Sequence, residues 1–298
     1  MNTPINTNPV ASMAMLVRSC VTFFAGSKTD KKQSTKITEE ENLSEGTAKV
    51  IKNLFAKGDL AGLRAVRAKV LAQVWLHTLP WDDRGYRLLP AKIYSKFQTE
   101  MMGFNEEFQG EVAKLQAQYA NILAERKWEL KGLFNPSDYP TVEELPNRYK
   151  INISYSAIPD TANFKIDMLN PAQQAEAKEE VENTVKAQVQ GAMKESMFRL
   201  VEGLAHLAER LDYSEGEEKK IFRDSTIQNL KDLFSVADEM NFTDCPLVAE
   251  SIRKAKELIE PAELNPENLR TNGDARKVTC SRLQKTVADM TATFEGIL

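Results

Sequence analysis

The apolar residues between positions 93 and 130 recur at steps that are mostly four, four and three. They form three rows whose successive members are eleven residues apart. An eleven-residue repeat corresponds to about 3.67 residues per turn, close to the period of an undistorted α-helix. The pattern predicts one long, nearly straight helix with a continuous apolar stripe that needs a packing partner. The rows are Ile93, Phe104 and Leu115; Phe97, Phe108, Tyr119 and Leu130; and Met101, Val112 and Leu123.

A second apolar stripe follows Asn170-Pro171 and predicts a helix that runs to about Leu211. Its steps are again mostly fours, with some threes. Two long helices of similar length, joined by a compact insertion, favour antiparallel packing of one stripe against the other. The second stripe consists of Val181, Val185, Val189, Met193, Met197, Leu200, Leu204, Leu207 and Leu211.

The insertion between the long helices, residues 134–169, contains two alternating segments. Thr141 and Glu144 have the spacing of a capping box and predict one short helical turn. Alternation in residues 149–155, and again in residues 164–168, then predicts a β-hairpin. Two strands alone are marginally stable in water. The strand predicted at residues 15–25 is therefore a candidate third member.

Shorter patterns predict the remaining elements. Residues 26–36 hold four lysines and are expected to form a polar, basic loop. Helices are predicted over residues 44–57 and from Asp59 to about His77. Residues 79–90 are expected to form a packed loop, because two prolines and a glycine prevent a regular helix there. Three helical stretches end the chain: residues 223–240, 246–259 and 266–298, the last interrupted at Asn272-Gly273.

These patterns together predict a mainly α fold: two long antiparallel helices with hendecad-like stripes, additional packed helices and a small β-hairpin insertion. We expect residues 1–40 to be an N-terminal tail with a short strand and the basic loop. Residues 41–298 are expected to form a single elongated helical domain. Within it, residues 134–169 are the loop and β-hairpin insertion.

Composition narrows the class of protein. The chain has 298 residues and a net charge of -4, which predicts no general attraction to nucleic acid or acidic membranes. Three cysteines without paired spacing argue against a disulfide framework or a cysteine zinc site, and two histidines are too few for a His-rich metal site. A run of about 18 apolar residues, which a transmembrane helix needs, does not occur. We expect a cytoplasmic protein without a metal or cofactor.

The most site-like cluster is Trp81-Asp82-Asp83-Arg84-Gly85-Tyr86. Adjacent carboxylates near an arginine and aromatic rings can contact a basic partner or hold a divalent cation. A structural turn, in which Asp caps the backbone or pairs with Arg, is the simpler alternative. The candidate partner-contact residues are Trp81, Asp82, Asp83, Arg84 and Tyr86.

Two other motifs match catalytic patterns only in part. Gly26-Ser27-Lys28-Thr29 follows a predicted strand but lacks the first glycine of a phosphate-binding loop. Pro159-Asp160 followed by Lys165 has the order of a metal-dependent nuclease, yet Asn163 stands where a second acid is needed. A solvated loop and an ordinary turn are the simpler interpretations. These residues leave one further functional hypothesis, a metal-dependent enzyme that uses Asp82, Asp83 or Asp160.

Two basic clusters on predicted helices are candidates for phosphate contacts with nucleic acid. The first consists of Arg64, Arg67 and Lys69, and the second of Arg276, Lys277, Arg282 and Lys285. Glutamates and aspartates are scattered among them. A solvated helix face is therefore the simpler interpretation of both clusters.

The segment from Leu79 to Pro90, the long helix after it and the segment from Leu133 to Pro140 together resemble an uncharacterised protein family, a domain of unknown function. The family occurs in bacteriophages, plasmids and integrative conjugative elements. The likeness covers roughly residues 40 to 295. Its members are often encoded near a MoxR-type AAA+ ATPase or near phage-type recombination functions. The resemblance implies a mobile-element accessory protein, and it carries over no catalytic residue.

Two functions are therefore weighed against each other. The first is a non-enzymatic helical interaction or scaffold protein of phage or mobile-element origin, an adaptor for an AAA+ ATPase or a self-associating protein. The extended amphipathic helices and the incomplete catalytic motifs favour it. The alternative is a nucleic-acid-binding accessory factor in phage replication or recombination, which the basic clusters and the implied gene context favour.

Overall fold

The computed structural model describes residues 9–161, 168–213, 223–259 and 264–296. Of these residues 68% are helical and 11% lie in strands, so the protein is mainly α, as predicted. The strands form small antiparallel sheets. The helices are α1 Pro9–Met13, α2 Lys31–Glu40, α3 Ala61–His77, α4 Tyr94–Leu130, α5 Leu145–Arg148, α6 Pro171–Leu211, α7 Asp224–Ser235, α8 Ala237–Met240, α9 Pro246–Ile259, α10 Pro266–Thr271 and α11 Gly273–Glu295. The strands are β1 Ala14–Phe23, β2 Ser27–Thr29, β3 Ile51–Asn53, β4 Leu79–Pro80, β5 Arg87–Pro90 and β6 Tyr149–Ser156.

The chain divides into two compact units, each built from separated stretches of sequence. Unit 1 comprises Met1–Arg18, Val74–Phe97 and Ser154–Leu298, and unit 2 comprises Ser19–Gln73 and Gln98–Ile153. The predicted partition, a tail of residues 1–40 followed by one domain of residues 41–298, places its boundary elsewhere. It stays a prediction.

The core of unit 1 is helical and centred on α6. This helix packs against α11 and α7, and α9 packs against α11. Leu204, Leu207 and Leu283 are fully buried there, and each stabilises the fold by about 1.5–3 kcal/mol. The start of α6 matches the prediction, because Asn170 and Gln173 form a complete capping box and Pro171 occupies the first turn.

The predicted packed loop at residues 79–90 instead contains two short strands. Strand β5 pairs antiparallel with β1, with Leu16 opposite Leu88, and β4 adds to the other side of β5. Leu79, Leu88 and Leu89 are fully buried. Their burial stabilises the pairing of this proline-containing segment with the sheet. Pro80 is tolerated because β4 is an edge strand.

Strand β6 is the first strand of the predicted hairpin, and its neighbour is β1. The Tyr149 hydroxyl donates to the backbone oxygen of Phe24 at 3.0 Å, and the N–H of Phe24 donates to Arg148 O at 3.2 Å. The segment at residues 15–25 is thus a strand of this sheet. Phe164 and Ile166 of the second predicted hairpin strand lie outside the described residues, and Met168 lies in a turn.

Unit 2 departs from the prediction before α3. The predicted basic loop contains β2 and the start of α2, whose N-cap Asp30 accepts from the N–H of Gln33 at 3.1 Å. The predicted helix over residues 44–57 is wrong, because Gly46 adopts a φ of +82° and residues 51–53 form β3. Strand β3 buries Lys52 and exposes Ile51, the reverse of the pattern that sequence hydropathy indicates.

Helix α4 ends at Leu130, close to the predicted end. Its buried side chains include Met101, Phe108, Val112, Leu115 and Tyr119. The hendecad-like regularity of the two long helices and their antiparallel packing against each other stay predictions. Among the helices of the described ranges, none has both the length and the apolar character that crossing a membrane requires.

Candidate protein-binding groove

Residues 81–86 form the loop between β4 and β5 in unit 1. The Asp82 carboxylate accepts hydrogen bonds from the backbone N–H groups of Arg84 and Tyr86, both at 3.0 Å. Gly85 has a φ of +89°, a left-handed conformation that glycine adopts at little steric cost. Asp82 therefore closes the turn, as the structural alternative predicts, and its Oδ1 is occupied by the loop itself.

The remaining members of the predicted cluster differ in exposure. Trp81 is 7% exposed, whereas Asp83 and Arg84 lie in solvent. Tyr86 is half-buried, and the guanidinium of Arg18 lies 5.8 Å from its ring centroid. Over the described ranges, no three His, Cys, Asp or Glu side chains group as a metal ion would need. The loop thus presents one buried indole beside two exposed charges.

Pro80 and Trp81 form one wall of a groove, and α6 forms the other. The groove, called the Trp81 groove below, encloses about 420 Å³. Its residues on α6 recur at intervals of three or four, which places them on one helical face. Phe198 is 58% exposed there, although it is a large apolar side chain. The lining residues of α6 are Gln188, Gly191, Lys194, Glu195 and Phe198.

Gly191 lines the groove without a side chain, so α6 does not fill the groove at this position. A Cβ added at this position would meet no atom within 4 Å, so the fold does not require a glycine here. Glycine in a helix interior destabilises the helix by about 1 kcal/mol relative to alanine. A larger residue would therefore be tolerated by the fold and would occupy the groove.

A buried arginine fixes α6 to the segment that carries the loop. Arg199 is 6% exposed, and its Nη1 donates to the backbone oxygens of Trp75 at 2.8 Å and Thr78 at 3.1 Å. Its Nε donates to Glu195 at 2.8 Å, and its guanidinium lies 4.1 Å from the Trp75 ring centroid. Burial lowers the pKa of Arg199, while the hydrogen bond to Glu195 opposes that shift.

Arg87 reaches the same junction from β5. Its Nε donates to Thr78 Oγ1 at 2.6 Å, and its Nη2 donates to Thr78 O at 3.0 Å. Burial, and then the positive charge of Arg199, lower the pKa of Arg87. Both arginines thus donate to one backbone oxygen, and these charge-assisted hydrogen bonds hold the wall of the groove in place.

Arg87 and Arg199 are absent from the sequence-based candidates. Around the helix, Arg199 lies about 100° from Leu200 and about 160° from Met197, so it falls outside the apolar stripe. The apolar spacing therefore gives no signal that Arg199 is buried. Its burial depends on Trp75 and Thr78, which are distant in the chain.

The first predicted nucleic-acid cluster lies in unit 2 on α3. Arg64 is exposed and donates to Lys57 O at 3.4 Å. The guanidinium of Arg67 lies 5.3 Å from the Phe23 ring centroid. Both side chains remain on the surface, and each has a contact that a solvated helix face would also make.

The second predicted cluster lies in unit 1 on α11, and it requires a correction. Arg276 is 4% exposed, its guanidinium lies 3.9 Å from the Tyr213 ring centroid, and it donates to Leu269 O and Tyr213 O, each at 3.4 Å. A buried guanidinium is not available to a phosphate. Lys277 and Arg282 are exposed.

The nuclease-like motif is described only at its beginning. Asp160 lies beside Thr161, whose hydroxyl donates to Glu182 at 2.5 Å. Asn163, Lys165 and Asp167 lie outside the described residues. The aspartate and its neighbours line a cavity of about 320 Å³ along α6.

Comparison with known proteins identifies no relative of this chain. The chain matches no family model, no curated protein and no solved structure. The resemblance to the mobile-element family therefore stays a prediction, and the functional argument rests on the described contacts.

Proposed function

We propose that this chain is a non-enzymatic interaction protein that binds a protein partner through the Trp81 groove. The observation that carries the proposal is Phe198, an aromatic ring left 58% exposed beside the buried Trp81 in a groove of about 420 Å³. Aromatic anchors in well-packed pockets dominate the energetics of protein interfaces. An apolar side chain from a partner would cover Phe198 and remove its surface from water.

The expected partner segment is an amphipathic helix. Helix α6 offers one face with residues spaced three and four apart, the geometry that a second helix matches. Lys194 and Glu195 line the groove. Glu195 pairs with Arg199, so the exposed ammonium of Lys194 is the charge available to an acidic flanking residue of the partner. Arg199 and Arg87 hold the groove in one arrangement before binding, which lowers the entropic cost of association.

The identity of the partner follows from the family resemblance alone. We propose a cytoplasmic adaptor from a phage or mobile element, with a MoxR-type AAA+ ATPase as the first partner to test. The proposal retains the two long helices as an antiparallel pair with hendecad-like stripes that forms the internal spine of the protein. Self-association through those stripes is the competing explanation for their length.

The experiment measures binding of the purified MoxR-type ATPase encoded beside the native gene, by calorimetry. Gly191→Leu adds a side chain into the groove, and Phe198→Ala removes the exposed ring. Each is expected to weaken binding about tenfold or more, because alanine scanning at anchors costs ~2 kcal/mol. Leu247→Ala in α9 is the matched control, since Leu247 is also 58% exposed in unit 1.

Three results would count against the proposal. The first is equal binding by the wild type and both groove variants. The second is an equal loss in Leu247→Ala, which would indicate a general effect on unit 1. The third is a stable homo-oligomer by light scattering that Gly191→Leu does not change, together with no binding of the ATPase.

A nucleic-acid accessory role is the second candidate. The exposed Lys277 and Arg282 on α11 favour it, whereas the burial of Arg276 weakens it. Filter binding at low and high salt distinguishes the two functions, because phosphate contacts weaken steeply with salt. Absence of binding at about 50 mM salt would remove this candidate.

A further inference from the structure

Unit 2 contains another groove, and its lining is basic instead of aromatic. It encloses about 540 Å³ and lies between β2, the first turn of α2 and residues 132–135. We call it the lysine groove. Leu133 and Phe134 form its apolar wall, and four lysines contribute to its lining: Lys28, Lys31, Lys32 and Lys52.

Two of these lysines are held together by the sheet. Strands β2 and β3 pair antiparallel, and Lys28 lies directly opposite Lys52. Like charges directly opposite each other on neighbouring strands destabilise a sheet. A carboxylate beneath them compensates: Lys28 Nζ lies 2.6 Å from Asp138 Oδ1, and Lys52 Nζ contacts Asp138 Oδ2.

The Asp138 side chain is 2% exposed, and its position is set by a short 3₁₀ turn over Pro136–Asp138. The Asn135 side chain caps this turn by accepting from the N–H of Ser137 at 3.0 Å. Burial raises the pKa of Asp138, but hydrogen bonds from Lys28 and Lys52 outweigh it and hold the pKa below its ordinary value. The carboxylate is therefore a fixed negative charge of the fold.

The lysines differ in how exposed they are, and therefore in whether they can donate to a ligand. The Lys52 side chain is 8% exposed, and its Nζ also donates to Leu133 O at 3.2 Å and lies 3.7 Å from Asp30. The Lys28 side chain is 52% exposed, and Lys31 and Lys32 are exposed. Four lysines against Asp30 and Asp138 leave two positive charges at the groove.

This positive charge is local. Helix α2 begins with Lys31 and Lys32 at the groove, while its other end carries Glu39 and Glu40, followed by Glu41. An extended nucleic-acid backbone would meet those carboxylates, which repel phosphate. A volume of about 540 Å³ lies in the range of small-molecule sites, roughly 300–1,000 Å³.

We propose that the lysine groove binds the phosphate or diphosphate group of a small molecule. The exposed amines of Lys28, Lys31 and Lys32 donate to the phosphate oxygens, and the surplus of two positive charges matches a phosphate dianion. The positive end of the α2 dipole adds to the attraction. The ion pair with Asp138 positions Lys28, and Phe134 with Leu133 contacts the remainder of the ligand.

Calorimetric titration at about 50 mM salt tests the proposal with three probes: pyrophosphate, ADP and a short oligothymidylate. Pyrophosphate and ADP are expected to bind and to compete with each other. The variant Lys31→Gln/Lys32→Gln is expected to weaken the binding of both probes about tenfold or more, because it removes charge-assisted hydrogen bonds to the phosphate oxygens. Tighter binding of ADP than of pyrophosphate would indicate that Leu133 and Phe134 contact the nucleoside.

Lys36→Gln is the matched control, because Lys36 lies on the same helix, is exposed and pairs with Glu40 outside the groove. It should leave the affinity for both probes unchanged. Absence of binding by pyrophosphate and ADP would overturn the proposal, as would an equal loss of affinity in Lys36→Gln. Oligothymidylate binding that neither small probe displaces would assign the lysines to nucleic acid and also overturn it.

Discussion

The two units bury cations in different ways. In unit 1 the guanidinium of Arg199 lies against an indole and donates to two backbone oxygens and one carboxylate. In unit 2 the ammonium of Lys52 shares the carboxylate of Asp138 with Lys28, donates to Leu133 O and lies 3.7 Å from Asp30. An arginine distributes its charge over five N–H donors in a rigid plane, whereas a lysine concentrates it at one point. The first arrangement joins elements, and the second accumulates positive charge at a surface groove.

The two clusters differ in whether the charged residues that stabilise the fold are also available for binding. Around Arg199 the donors are directed at Thr78, Trp75 and Glu195, so the cluster holds the Trp81 groove in place and leaves binding to Phe198. Around Asp138 the carboxylate accepts from two ammonium groups of which only Lys28 is half exposed. Lys28 thus both pairs with the buried Asp138 carboxylate and lines the lysine groove.

Removal of Asp138 is expected to have the largest effect. Asp138→Asn leaves the buried ammonium of Lys52 without its closest counter-ion, and breaking a buried pair in this way costs about 3–5 kcal/mol. The denaturant midpoint of unfolding should fall accordingly, and hydrogen exchange should increase in β2 and β3. A loss below about 1 kcal/mol would show that solvent already reaches Lys52 and would break the comparison.

Arg199→Lys tests the corresponding site in unit 1. A lysine keeps the charge but cannot stack on Trp75 and donate to Thr78 O and Glu195 at once. We expect a loss of about 2 kcal/mol in the free energy of unfolding, since hydrogen bonds of the guanidinium to Trp75 O and Glu195 are weakened or lost and each such charged hydrogen bond contributes about 1.5–3 kcal/mol. Thr78 O keeps Arg87 as a donor. Hydrogen exchange should increase in β4 and at the end of α3. Unchanged stability would mean that the guanidinium geometry is dispensable.

Acid titration separates the two units further. The pKa of Asp138 is lower in the folded protein than the ordinary value of about 3.9, so its carboxylate stabilises the fold above that pH. The stabilisation is lost as the pH falls through the folded pKa. The difference in unfolding free energy between wild type and Asp138→Asn should therefore be constant near neutral pH and shrink below about pH 4. The wild-type to Arg199→Lys difference should not follow this dependence.

Local chemistry explains how far the sequence predicts the fold. Helix α6 begins and ends as predicted because Asn170-Pro171 and its apolar spacing specify it without help from distant residues. The sequence pattern does not predict strand β3, because Lys52 faces inward and its partners Asp138, Leu133 O and Asp30 lie elsewhere in the chain. The strands at residues 79–90 were missed because Pro80 signals a break, while β1 supplies the pairing.

The candidate sites follow the same rule. Trp81 and Asp82 were identified from their spacing in one loop, and the loop geometry depends on local hydrogen bonds. Arg199 and Asp138 act through partners more than 80 residues away in the chain. A single sequence shows neither pairing, so it predicted the loop but not the charge clusters that support each groove.

The smallest change in stability is expected from Lys28→Gln, and it provides the most specific test of the lysine groove. The Lys28 side chain is 52% exposed, so its pair with Asp138 contributes at most about 1 kcal/mol. Its removal also relieves repulsion from Lys52 across the strands. We therefore expect the unfolding free energy to change by less than about 1 kcal/mol, while the affinity for pyrophosphate falls about tenfold. A large loss of stability with unchanged affinity would make Lys28 a purely structural residue, like Arg199.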